Sequence, residues 1–161
     1  MALLALLAGL ATLLFLLLRD KTPLLTAASL EKARAAWRQN ELPDYNITLL
    51  KETDVRAPER DITEVRGKKA TLLLIDGNPV PVRDSYSILG LFDLMDRELE
   101  MASSKAPAAG QPEGALLKAA FHPRLGFPLV FKRIASKRQS VVITVEKLEI
   151  RGGEVVYPSH K

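Results

Sequence analysis

The hydrophobic pattern divides the chain into two unequal parts. Residues 1–18 carry no charge: leucine and alanine dominate, Phe15 is the single aromatic, and Gly9 and Thr12 are the interruptions. At ~1.5 Å per residue such a helix is roughly 27 Å long, close to the ~30 Å hydrocarbon core of a bilayer. Its apolar residues occupy every face, which argues against a helix buried in a small domain. Beyond Arg19 apolar and polar positions interleave. Leu30, Ala33 and Trp37 form one stripe of a helix predicted over 27–39, with Thr26 or Ser29 as its N-cap and Glu31, Lys32, Arg34 and Arg38 on the other faces. Pro43 lies in the break at 40–44, and Tyr45, Ile47 and Leu49 then share one face of a strand over 45–50.

The next segments follow the same logic. Residues 51–60, with Pro58, are predicted as a loop, and 62–65 as a short or edge strand. Residues 69–75 are apolar on both faces, as a central strand should be. Asp76-Gly77-Asn78 is hairpin-turn chemistry, with 80–82 as the returning arm at an edge, because Pro79 and Pro81 remove ladder donors. Ile88, Leu91, Phe92, Met95 and Leu99 mark a second amphipathic helix, capped by Asp84 or Ser85. Residues 102–114 read as a flexible loop. Strands are expected over 116–121 and 128–134 around the turn His122-Pro123-Arg124-Leu125-Gly126, and over 140–150. In that last strand Val141, Ile143 and Val145 have one parity and Leu148 and Ile150 the other, which places a bulge near Glu146 or Lys147.

These elements predict an α+β fold. An N-terminal transmembrane helix precedes a two-layer domain, an antiparallel sheet with two amphipathic helices on one face. The division is an anchor over 1–21, a linker over 22–26, the α+β domain over 27–151, and a C-terminal tail or short extra strand over 152–161. The apolar run reads as an uncleaved anchor rather than a signal peptide. No basic residue precedes it, it exceeds the ~7–15 residues of a signal core, and the small-residue candidate Thr26-Ala27-Ala28 lies beyond Pro23.

Composition narrows the chemistry. The chain has no cysteine, which excludes a lipid-modified cysteine, a disulfide framework, thiolate metal sites and cysteine nucleophiles. The net charge of +4 is mild. Its one local concentration, Lys132, Arg133, Lys137 and Arg138, has little interleaved aromatic surface for base stacking; it reads as a solvated hairpin tip, and nucleic acid is not an expected partner. Arg19, Lys21, Lys32, Arg34 and Arg38 all follow the span, so the positive-inside count places the domain in the cytoplasm.

Several short motifs resemble an uncharacterised family of small bacterial domains. They are Trp37…Asn40…Tyr45-x-Ile47, the hairpin Leu74-Ile75-Asp76-Gly77-Asn78-Pro79-Val80, Ser87-Ile88-x-x-Leu91-Phe92-Asp93-Leu94-Met95, and Phe121-x-Pro123-x-x-Gly126-Phe127-Pro128. The resemblance covers about 37–150 and implies a fold and an exported setting, as lipoproteins or secreted proteins, but no activity. This chain departs from the family in lacking a cysteine pair at 51–55, in having His122 where Asp is common, and in the basic turn at 135–139. The implied export opposes the charge count. We take the exported side as the expectation, since a cluster that contains Asp20 is a weak topogenic signal.

Candidate chemistry is sparse. Asp93, Asp96 and Glu100 fall opposite the apolar stripe of the second helix, with Glu98 nearby and Arg97 four residues from Asp93, which describes a solvated face. His122 precedes Pro123 in a turn, and His160 lies in the tail. A hydrolase would need His122 beside Ser85, Ser87 or Ser140 and a carboxylate, yet no G-x-S-x-G elbow is present. Two histidines in such different settings do not predict a metal site, and no phosphate-binding glycine loop occurs, so no cofactor is expected. Gly126 is expected to supply a positive φ while Phe127 is buried and Pro128 opens an edge strand. Asn46-Ile47-Thr48 matches a glycosylation acceptor but lies in a strand. The expected function is a membrane-anchored, non-enzymatic domain that binds a protein partner or small ligand, on the uncovered sheet face or in the helix–sheet groove. Its candidate binding residues are His122, Arg124, Lys132 and Arg133. The alternative is a membrane-anchored hydrolase using His122 with a carboxylate.

Overall fold

A continuous ladder of strands carries the architecture, and the helices are laid onto it. The computed structural model describes residues 20–40, 42–104, 115–135, 139–150 and 155–157. Helices α1 (Ala27–Gln39) and α2 (Ile88–Ser104) accompany strands β1 (Tyr45–Thr53), β2 (Glu59–Arg66), β3 (Lys69–Ile75), β4 (Asn78–Pro79), β5 (Leu116–Phe121), β6 (Pro128–Ile134), β7 (Val141–Ile150) and β8 (Val155–Tyr157). The strands pair antiparallel in the order β4-β3-β2-β1-β7-β6-β5, with β8 also on β7. The chain is therefore α+β, as the pattern predicts. Among the described residues no helix is long and apolar enough to cross a membrane. The stretch 1–18, on which the anchor was read, lies outside them, as do most of the loop at 102–114, Lys137, Arg138 and His160.

The β1–β7 pairing joins the two halves, running from Tyr45↔Ile150 to Thr53↔Val141 with a register shift between Thr48 and Leu49. Glu146 is the residue left over, so the bulge lies where the parity change placed it. As a result Val145 and Leu148 are both buried in the same core. The opposite edge of β7 is shared: β6 pairs with it from Val141 to Thr144, and β8 takes Leu148 and Glu149.

One face of the sheet is the core face. Tyr45, Ile47 and Leu49 of β1, Val65 of β2, and Val145 and Leu148 of β7 cluster with Leu30, Ala33 and Trp37 of α1 and with Ile88, Leu91, Phe92 and Met95 of α2. Thr48, Leu50, Ile62, Leu72, Leu74 and Thr144 face the other way and are half-buried. Helix α1 begins with a capping box in which Ser29 N–H donates to Thr26 Oγ1 (3.1 Å) and Thr26 N–H donates to Ser29 Oγ (3.0 Å). Trp37 is a core tryptophan, edge-on to Tyr45 (5.9 Å) and Phe127 (6.4 Å).

Four expectations change. β2 is a full strand paired on both sides rather than a short or edge strand, and the loop before it shrinks because β1 extends to Thr53. Residues 80–82 are not a strand: β4 has only Asn78 and Pro79, closed by Asp76 (φ 48°) and Gly77 (φ 80°). Pro128 opens β6, which is an interior strand; β6 meets β7 only from Val130 onward, so the missing N–H of Pro128 costs no ladder bond there. Residues 22–25 are not a slack linker. Leu25 N–H donates to Leu117 O (2.9 Å), Ala119 N–H donates to Pro23 O (3.1 Å), and Leu25 is buried, so this segment extends the sheet beyond β5.

The turn at 122–127 is seated on α1 through a glycine. Gly126 has φ +78°, and a Cβ there would overlap the Ala33 carbonyl oxygen and stand 2.8 Å from Trp37 N. Gly126→Ala is expected to destabilise the domain by about 3 kcal/mol, from strained φ and backbone overlap together. Urea denaturation of the two proteins measures this; a loss below about 1 kcal/mol would mean that the turn lifts freely from α1.

Candidate functional site

The residues picked out by sequence do not form one site. His122 builds its own turn: its Nδ1 accepts the Leu125 N–H (3.0 Å), its backbone N–H donates to Phe127 O (2.8 Å), and its ring stacks on Phe127 at 4.9 Å. Burial, and then the charge of Arg124, lower its pKa from the ordinary value, consistent with a neutral imidazole whose Nδ1 is an acceptor. Arg124 itself is exposed. Lys132 and Arg133 are neighbours in β6 and therefore point to opposite faces. Lys132 pairs with Asp20 (3.1 Å), as does Lys118 (3.1 Å), whereas Arg133 reaches Glu98 of α2 (3.1 Å) and the Gln139 carbonyl (3.0 Å).

Of the serines considered as nucleophiles, Ser85 is exposed, whereas Ser87 and Ser140 have structural roles. Ser87, rather than Asp84 or Ser85, caps α2: its Oγ accepts the Gly90 N–H (3.1 Å) and donates to Asp84 O (2.7 Å). Ser140 N–H donates to Asp54 Oδ2 (3.1 Å). The acidic residues of α2 also differ from a plain solvated face. Asp96 pairs with Arg34 of α1, whose guanidinium also lies 5.5 Å from the centroid of the Phe92 ring, and Arg97 donates to the backbone carbonyl of Asp93 (3.3 Å). Among the described residues no group of His, Asp and Glu is arranged to hold a metal ion.

The chemistry that sequence reasoning missed is on β2. The register Tyr45↔Val65, Ile47↔Thr63, Leu49↔Asp61 places Asp61 and Thr63 on the core face. Asp61 is 1% exposed and Thr63 0%. Among the described residues, neither Asp61 Oδ1 nor Thr63 Oγ1 has a hydrogen-bond partner. Cross-strand neighbours explain this for Asp61, since it lies between Leu49 and Ile75, which offer no side-chain donor.

Asp61 lines a cavity of about 190 Å³ between the sheet, α2 and the 3₁₀ turn Asp84–Tyr86. Leu49, Ile143, Leu91 and Leu94 supply apolar wall; Lys51, Arg83, Ser85 and Tyr86 supply the polar part. The turn is held tightly against α2. Gly90 has no Cβ where one would overlap Asp84 O, and Ile88 N–H donates to the Tyr45 hydroxyl (3.1 Å), so the sheet itself satisfies the first turn of the helix. Lys51 is engaged with Glu59 (3.1 Å); burial works against its charge, but the hydrogen bond and charge of Glu59 outweigh this and raise its pKa. Burial, and then the charge of Glu59, push the Asp61 carboxyl up to about 6, against the opposing charge of Lys51. The arrangement is an apolar cleft with a deep acceptor and cations at its polar side. The sequence signal for it was the alternation Asp61-Ile62-Thr63-Glu64-Val65, once Val65 is known to face inward.

Compared with known proteins, the chain matches no family model, and no curated protein matches it.

Asp61 makes the fold sensitive to pH. Its folded-state pKa of about 6 lies above the ordinary 3.8, so the folded protein holds an extra proton between about pH 4 and 6. Stability therefore falls as pH rises through that window, by at most roughly 3 kcal/mol. Asp61→Asn is expected to remove this decline and to stabilise the domain at pH 7.5 by on the order of 1–3 kcal/mol. Denaturation curves at pH 4.5, 5.5, 6.5 and 7.5 test this; a variant no more stable than the parent at pH 7.5 would contradict an unpaired buried carboxylate.

Proposed function

We propose that this chain is a membrane-anchored binding protein whose α+β domain takes a small ligand in the groove between α2 and the sheet. The observation that carries the reading is that Asp61, whose buried Oδ1 lacks a hydrogen-bond partner among the described residues, is one of the residues lining an apolar cavity. A carboxylate left alone at this depth is retained against a desolvation cost, and a ligand that supplies its partner offsets that cost. Binding rather than turnover fits the other polar groups. His122 Nδ1 is committed to Leu125, Ser87 Oγ to the helix cap, and Ser140 Oγ accepts the Ala135 N–H, so among the described residues these groups form no hydrogen-bonded pair of base and nucleophile.

The uncharged run over 1–18 is the reason for reading a span. The start of the domain supports a close seat on the bilayer. Asp20 pairs with Lys118 and Lys132, and Pro23 and Leu25 are hydrogen-bonded to β5, so little free chain separates the apolar run from the sheet. The resemblance to exported domains is the support for reading the domain on the extracytoplasmic side.

Methyl-labelled full-length protein in lipid nanodiscs, titrated with a panel of small water-soluble amines, acids, zwitterions and alcohols, tests the binding site. Shift changes are expected at the methyls of Leu49, Leu91, Leu94 and Ile143. They should vanish in Leu94→Trp, which fills the cleft. A panel that leaves all four unmoved would defeat the site. Protease added to sealed spheroplasts is expected to digest the domain; protection until lysis would reverse the assigned side.

A further inference from the structure

We propose that the Asp61 cavity takes a small amino-carboxylate zwitterion, its ammonium on the Asp61 carboxylate and its own carboxylate toward Arg83; this rests on the cavity being the ligand site.

Size sets the first limit. A cavity of about 190 Å³ is comparable with the ~150 Å³ that holds one benzene molecule, and it is below the ~300–1,000 Å³ of sites for larger ligands. That leaves room for a molecule of about eight heavy atoms and excludes a nucleotide or a long acyl chain.

Charge sets the second. An ionised Asp61 offers only acceptors, and its buried oxygen is unpartnered, so the group that satisfies it must bring N–H or O–H donors and is best positively charged. Lys51 bonds Glu59 at 3.1 Å and makes no hydrogen bond to the buried Asp61 oxygen. Arg83 is exposed, lines the same cavity, and pairs with no carboxylate among the described residues. A plain cation would satisfy Asp61 but meet the charges of Lys51 and Arg83. A plain anion would suit Arg83 but meet Asp61 and Glu59. A molecule with both charges satisfies each end, and Leu49, Leu91, Leu94 and Ile143 provide contact for the methylenes between or beside them.

Calorimetry on the full chain in nanodiscs at pH 7.5, with empty nanodiscs as the blank, tests this with leucine, 6-aminohexanoate, hexylamine and hexanoate. At least one of the two zwitterions is expected to bind roughly tenfold or more tightly than either singly charged probe. Asp61→Asn, expected to be at least as stable as the parent, should weaken that zwitterion by a similar factor, and Arg83→Ala should reduce it to the level of hexylamine. If hexylamine or hexanoate equals the better zwitterion, or Asp61→Asn keeps full affinity, the ligand class is wrong. Silence from all four probes, with other members of the methyl-shift panel still moving Leu94 and Ile143, would also reject the ligand class and leave the cavity as a binding site. Silence throughout would reject both.

Discussion

The register of β1 is the constraint on which the rest depends. Tyr45 fixes it from three directions: its ring meets the edge of Trp37, its hydroxyl accepts the first amide of α2, and its backbone pairs opposite Val65 and Ile150. Since side chains alternate, a slip of one residue would exchange the core and outer faces of every strand in the ladder. With Tyr45 facing in, Ile47 and Leu49 follow, then Val65, Thr63 and Asp61 across β2, and Val145 and Leu148 across β7 after the Glu146 bulge. The burial of Asp61 is thus a consequence of the same register that buries the core. It cannot be relieved without giving up β1–β2 pairing.

What was readable in the chain was mostly local. Helix α1, its Thr26 cap, the Asp76-Gly77 turn, the bulge in β7 and the positive φ of Gly126 each follow from a few adjacent residues, and each is present. β2 was underestimated for a physical reason. Its inward positions are Asp61, Thr63 and Val65, so its core face carries the polar residues and its outer face carries Ile62, the reverse of the usual signal. Only the pairing with β1 resolves it, and that pairing is not local. The placement of the candidate binding residues also follows from alternation. His122, Arg124, Lys132 and Arg133 are near one another in sequence, but strand alternation sends Lys132 to Asp20 and Arg133 to Glu98 on opposite sides of the sheet. That separation was legible from parity alone. The groove between helix and sheet was anticipated as a contact surface, whereas the carboxylate within it was not.

The two ends of the sheet order are managed differently, and this bears on how the domain meets its surroundings. At the β3–β4 end, Pro79 and Pro81 and a two-residue strand leave few donors for a further chain. At the β5 end, residues 22–25 cover the edge themselves, with Leu25 turned into the core and Asp20 paired with both Lys118 and Lys132 on the outer face. Hydrogen bonds from Thr22, and then from Lys118 and Lys132, hold the Asp20 carboxyl well below the usual carboxylate range. The chain enters the domain along a covered edge. This leaves the half-buried outer face, with Leu50, Leu72 and Leu74, as the remaining broad surface.

Asp61 and the 3₁₀ turn belong to one device. The turn stays close to α2 because Gly90 lacks a Cβ and Ser87 bonds in both directions, and α2 stays on the sheet because Tyr45 accepts its leading amide. These contacts hold Ser85, Tyr86 and Arg83 at a cleft whose opposite side is Asp61. Had the domain needed only stability, an apolar residue at position 61 would complete a core strip already formed by Leu49 and Ile75 on either side. The carboxylate instead interrupts that strip, and the cleft over it remains open. Of the two polar residues that β2 buries on its core face, Thr63 and Asp61, it is Asp61, the one that can carry a charge, that lines an open cleft, an arrangement suited to receiving a partner from outside the chain.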